Sequence, residues 1–178
     1  MIAACSSARF GKSLAAILGI SSLLVVEVFG ASPLVSFSSK EIAIATNDFP
    51  LVVSKKAAAI LMDKADAEVV SVAAGMLAED VERVAGVKPS VETSADKVTG
   101  PAIIIGTLGK STLIADLVQR GKVDASAIEG KWESFIIQTV ADPFPGVKTA
   151  LVIAGSDRRG TAYGAVTVSE AIGVSPWV

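Results

Sequence analysis

The sequence predicts one α/β domain, a small mixed sheet with helices packed on it. Three observations carry that prediction. Residues 102–105 (Ala-Ile-Ile-Ile) and 150–154 (Ala-Leu-Val-Ile-Ala) are continuous apolar runs, as strands buried on both faces require. From Asp66 the pattern changes to apolar residues at three- and four-residue steps, the period of a helix lying on a core. Strand and helix patterns then alternate, with hairpin-like connections beside crossover connections, so the sheet is expected to mix parallel and antiparallel pairs.

The chain has 178 residues, 51% hydrophobic, with 16 Lys and Arg against 18 Asp and Glu, no histidine and one cysteine. That length suits one domain of ordinary size. A net charge of −2 with both signs interspersed offers no basic footprint for nucleic acid, and the low charged fraction does not suit a solvated disordered tail. Without histidine the Ser-His-Asp and Cys-His nucleophile systems are excluded, and so are the usual zinc sites. No metal and no cofactor is expected.

The N-terminus carries Arg9 and Lys12 and then residues 14–26, a run of apolar, glycine and serine residues only. As a helix that run would span about 20 Å at 1.5 Å per residue. This falls short of the bilayer core of about 30 Å, so no stable membrane anchor is expected. Val28-Phe29-Gly30 supplies modest or small residues where a signal peptidase reads, which predicts a signal peptide over 1–30 and a secreted, extracellular protein. Cleavage there removes Cys5, so no disulfide is possible and stability must come from a packed core. Residues 31–40, Ser-rich with Pro33, read as an exposed leader, and the domain is expected over 41–178.

Within it, residues 51–53 and 58–62 are short apolar runs separated by Lys55-Lys56, which predicts an edge hairpin with the lysines at its turn. The helix that follows has Val69, Ala73, Met76, Leu77, Val81 and Val84 as its expected core stripe, Asp66 as its cap, and Gly86 with Pro89 as its stop. A short strand is expected near Val91. After the strand at 102–105, Leu113, Ile114, Leu117 and Val118 predict a helix with Ser111 or Thr112 at its start, ending at Gly121 after Arg120. Residues 135–140 read as a strand, Asp142-Pro143-Phe144-Pro145-Gly146 as a turn, and 150–154 as a strand. A last helix runs from Asp157 through Tyr163, Val166 and Glu170 and closes at Gly173.

Three constellations could carry chemistry. Ile105-Gly106-Thr107-Leu108-Gly109-Lys110-Ser111 has the look of a phosphate loop, but the glycine that such a loop needs five positions before Gly109 is Ile104. A tight strand-to-helix turn is therefore the expected structure. Glu133 beside Trp132 is either a carboxyl desolvated by an indole or an ordinary strand-edge pair. In Gly155-Ser156-Asp157-Arg158-Arg159-Gly160-Thr161, free amides, two guanidinium groups and two glycines at a helix start would suit a carboxylate partner. The other reading has Ser156 or Asp157 capping the helix and the arginines in ion pairs.

That stretch, continued through Ala162-Tyr163-Gly164 to Ser169-Glu170-Ala171-Ile172-Gly173-Val174-Ser175-Pro176-Trp177, resembles the end of the N-terminal domain of family 115 glycoside hydrolases, the xylan α-1,2-glucuronidases. Ile104-Ile105-Gly106-Thr107-Leu108-Gly109-Lys110-Ser111 and Gly130-Lys131-Trp132-Glu133-Ser134-Phe135 resemble that family in the same order. The resemblance covers residues 42–177. It implies a domain similar to the α/β domain before the catalytic barrel of β-hexosaminidases, where a Gly-x-x-Tyr-Gly helix start recurs, here Gly160 to Gly164. It also implies a (β/α)8 barrel as partner, carrying the carboxylates that remove (4-O-methyl)glucuronic acid from glucuronoxylan. This chain reaches Val178, where the family continues through aromatics into that barrel, so no catalytic residue carries over. The expectation is a non-catalytic fragment whose Asp157, Arg158 and Arg159 form a loop facing the substrate or the barrel. Rival readings are a stand-alone carbohydrate-binding module, which needs exposed aromatics, a nucleotide binder at Gly109-Lys110-Ser111, and a domain docking on the barrel of a full-length relative.

Overall fold

The computed structural model describes residues 49–175. The expected signal peptide, the leader, the domain start at 41 and Trp177 lie outside the described residues.

Five strands form the main sheet in the order β4-β3-β5-β7-β6: β3 (Ala59–Met62), β4 (Val91–Glu92), β5 (Ala102–Thr107), β6 (Phe135–Phe144) and β7 (Val147–Gly155). Neighbours β4, β3, β5 and β7 run parallel and β6 pairs antiparallel with β7, so the sheet is mixed as the sequence predicts. Helices α1 (Glu68–Ala85), α2 (Thr112–Gln119) and α3 (Arg158–Ala171) follow β3, β5 and β7.

Strand alternation divides the core into two layers. Ile60, Met62, Ile103, Ile105 and Ile153 meet Val70, Ala73, Ala74 and Leu77 of α1 and Ala165 and Val168 of α3. Leu61, Ile104, Ala150, Val152 and Ala154 meet Ile114 and Leu117 of α2 on the other face. Every residue of β5 is buried, which explains its unbroken apolar run.

Helix ends follow the punctuation. Gly86 takes the left-handed conformation at φ 71 and closes α1, and Ser111 caps α2 by accepting the Ile114 N–H.

Four local expectations are corrected. The arm 58–62 does not pair with 51–53; the hairpin is β1 (Val52–Val53) with β2 (Lys56–Ala57), turning at Ser54 and Lys55, while β3 enters the parallel sheet. Asp66 does not cap α1, because its carboxylate turns toward β5 and accepts the Thr107 N–H at 2.7 Å. Of the expected stripe of α1, Ala73, Leu77 and Val81 are buried, but Val70, Ala74 and Ala78 complete the core face in place of Val69, Met76 and Val84, and Met76 is 54% exposed. Asp142-Pro143-Phe144 belongs to β6, which absorbs an irregularity between Ala141 and Phe144 and leaves only Pro145-Gly146 as the turn.

Candidate functional site

After β3 the chain steps to one side of the sheet through α1, whereas α2, after β5, lies on the opposite face. In open α/β sheets a crevice forms outside the carboxyl ends of strands where the chain path divides in this way. Here it measures about 490 Å³ and is lined by the loops after β3 (Asp66), β5 (Thr107, Leu108, Lys110) and β7 (Ser156, Asp157, Arg158).

The structure separates the three residues of the Asp157-Arg158-Arg159 run. Asp157 is the N-cap of α3: one carboxylate oxygen accepts the N–H groups of Arg159 at 2.9 Å and Gly160 at 2.8 Å. Its other oxygen accepts the Glu133 N–H at 2.9 Å. The Glu133 amide, then the Gly160 amide, hold the carboxyl below its ordinary pKa against a smaller opposing effect of burial, with the Arg159 amide and charge adding to the lowering. Arg158 is exposed and lines the crevice with Lys110. Arg159 lies outside the crevice lining, bonded to Glu133 at 2.8 Å and to the Tyr163 hydroxyl at 3.2 Å. The Tyr163 hydroxyl and the Glu133 charge raise its pKa further.

Gly155 and Gly160 do not leave room for a ligand. A Cβ at Gly155 would collide with the backbone nitrogen of Thr161, and one at Gly160 with the carbonyl oxygen of Ser134. A Cβ at Gly164 would lie 2.6 Å from Ile153. These glycines let α3 lie against β7 and against the segment entering β6. The buried hydroxyls of Thr107 and Thr161, 2.9 Å apart, add a polar tie between β5 and α3.

The turn at Gly109-Lys110-Ser111 is a closed strand-to-helix connection. Its amides bond within the protein: Leu108 N–H to the Gly155 carbonyl, and Lys110 and Ser111 N–H to the Thr107 carbonyl. Asp63 supplies the anion at the start of α2, accepting both the N–H and the hydroxyl of Thr112. Burial alone would raise the Asp63 pKa, but the bonds from the Thr112 hydroxyl and from the Ala65 and Thr112 amides hold it below the ordinary value. A phosphate would find these donors already bonded.

Trp132 does not enclose Glu133, because the indole is 83% exposed. Glu133 adopts φ 52, a left-handed conformation uncommon for a side-chain-bearing residue, and its carboxylate pairs with Arg159. The segment is fastened by the Ser134 N–H to the Ser156 hydroxyl at 3.0 Å, by the Ser156 N–H to the Ser134 carbonyl at 2.8 Å, and by the Ser134 hydroxyl to the Trp132 carbonyl at 3.0 Å.

The sequence reading missed Asp63 and gave Asp66 the role of a helix cap. The available signal was their place just after the apolar run 58–62, where loops at strand carboxyl ends supply anions to neighbouring helix starts, but reading that run as a hairpin arm hid it. Both acids of the crevice, Asp66 and Asp157, accept backbone N–H bonds. Among the described residues no group of three or more acids or cysteines is gathered as a metal ion would require. What the crevice exposes to a partner is the cationic side chains Lys110 and Arg158, whereas Trp132, Glu133, Arg159 and Tyr163 lie outside its lining.

No family model and no curated protein matches the chain. Among solved structures it is similar to BtGH115A, a family GH115 4-O-methyl-alpha-glucuronidase with specificity for decorated arabinogalactans, at 34% identity over 67% of this chain and a TM-score of 0.54. The match covers 14% of that enzyme's chain. A second structure, CpGH84D, matches at 12% identity over 67% of this chain and 18% of its own, with a TM-score of 0.41. The first likeness supports a GH115-like domain, and the mixed sheet with packed helices is consistent with a domain of a glycoside hydrolase.

Proposed function

We propose that this chain is a secreted, non-catalytic N-terminal domain of a glycoside hydrolase resembling xylan α-1,2-glucuronidase. Its partner in this reading is a catalytic barrel, toward which the start of α3 at Asp157, Arg158 and Arg159 faces. The observation that carries the reading is the 34% identity to a 4-O-methyl-alpha-glucuronidase over two thirds of the chain. The chemistry within the domain agrees. Inverting glycoside hydrolysis needs two carboxyl groups about 6.5–9.5 Å apart around the scissile bond, one with a raised pKa. The acids of the crevice are instead bonded to backbone amides, and Asp157 is driven toward ionisation. Both carboxylates hold loops in place, and Asp157, kept ionised, is a poor proton donor at neutral pH.

The substrate of the whole enzyme would be a polysaccharide bearing (4-O-methyl)glucuronic acid. The resemblance points to glucuronoxylan, and the solved relative's specificity adds decorated arabinogalactan.

The test uses the full chain and a hybrid. The chain alone should release no glucuronic acid from either polysaccharide. A hybrid in which residues 49–175 replace the matching part of the solved glucuronidase should retain activity, and Arg158→Ala in the hybrid should reduce it. Release of uronic acid by the chain alone, or a folded but inactive hybrid, would overturn the proposal.

A further inference from the structure

We propose that Trp132 is a saccharide-stacking platform, with Glu133 and Arg159 as the polar groups that orient the sugar. The class of ligand rests on the glycoside-hydrolase reading above; the platform itself rests on geometry. An indole left 83% exposed is the largest unburied apolar side chain among the described residues. The peptide group that follows it is held through both its carbonyl and its N–H. The Ser134 hydroxyl bonds to the Trp132 carbonyl, and the next amide, that of Glu133, is fixed by Asp157 at the rigid start of α3. The ring is thus presented from a fastened segment, which lowers the ordering cost of binding.

The groups tied to this segment are polar. Glu133 bonds to Arg159, and Arg159 bonds to the hydroxyl of Tyr163, itself 41% exposed, with the guanidinium 6.0 Å from that ring's centroid. An exposed indole next in sequence to a carboxylate that leads on to a guanidinium and a phenol suits a pyranose, which has an apolar C–H face and a rim of hydroxyls. The indole's electron-rich face attracts the C–H groups. The Glu133 carboxylate accepts from hydroxyls and the remaining Arg159 N–H groups donate to them. A protein partner fits less well, because a stable protein interface needs about 800 Å² from each side around an apolar centre. The groups bonded to this indole's segment are charged or hydroxylated.

The experiment is affinity electrophoresis and calorimetric titration of the full chain with soluble glucuronoxylan and with soluble arabinogalactan. At least one polysaccharide should retard and bind the protein. Trp132→Ala should weaken that binding at least tenfold, with an unchanged melting temperature because the side chain is exposed, and Trp132→Phe should restore part of it. Absence of binding to both polysaccharides, or equal binding by Trp132→Ala, overturns the platform. The hybrid assay fails independently. An inactive hybrid with Trp132-dependent retention removes the glucuronidase reading and leaves the platform, whereas an active hybrid from a chain that binds neither polysaccharide removes the platform alone.

Discussion

Asp157 accepts the Glu133 amide at 2.9 Å through the carboxylate oxygen that its own helix does not use. One side chain therefore starts α3 and fastens the segment entering β6, 24 residues earlier. Replacing a capping Asp with Ala costs about 0.5–2 kcal/mol. The Glu133 bond adds about 1 kcal/mol. Asp157→Ala should therefore lower unfolding free energy in urea by roughly 2 kcal/mol. Asp157→Asn, which keeps an acceptor oxygen, should cost less. Equal stability of parent and Asp157→Ala would contradict this assignment.

Acid should destabilise the domain through Asp63 and Asp157. Both have folded pKa values below their unfolded ones, so each contributes stability that is fully present above the unfolded value of about 4. That contribution is lost as pH falls through the folded values. The sequence holds no histidine, so no side chain with an ordinary pKa between 5 and 8 opposes a plateau there. Urea midpoints should stay level between about pH 5 and 8 and fall below about pH 4. Asp63→Asn and Asp157→Asn should each flatten the acid limb.

Glycines of opposite meaning offer a paired test. Gly75 lies inside α1 with open space where a methyl group would project, so Gly75→Ala should stabilise by about 0.5–1 kcal/mol. Gly160 faces the Ser134 carbonyl, a backbone atom that cannot turn aside. Gly160→Ala should cost about 1–3 kcal/mol, the range of overpacked cores. Chemical denaturation of both variants checks the pair.

The strands β5 and β7 and the helices α2 and α3 are legible in the sequence because burial on both faces writes an unbroken apolar run and because Ser111, Asp157 and Gly173 mark helix ends locally. Asp63 and Asp66 are not, since their bonds reach Thr112 and Thr107 across 49 and 41 residues and exist only once β3 lies beside β5. The phosphate-loop expectation can be rejected from Ile104 alone. That Asp63 takes the anion's place cannot be read there. In the sequence Trp132 stands out for what it would do to Glu133; its exposure depends on how Ser134 and Asp157 hold the segment.

Helix α1 shows the same limit and supplies a further test. Large apolar residues draw the expected stripe through Val69, Met76 and Val84, yet Val70, Ala74 and Ala78 take their places beside Ala73, Leu77 and Val81 on the buried face. Alanines let a helix approach a sheet closely, and Val69, Met76 and Val84 are turned outward. If so, Met76→Lys should change stability by no more than about 0.5 kcal/mol, as exposed substitutions do. Ala74→Leu, at a position with no exposed surface, should cost about 1–3 kcal/mol. The expected stripe demands the reverse order, because burying a lysine at position 76 would then be the damaging change, so thermal or urea melts of these two variants decide which face of α1 meets the core.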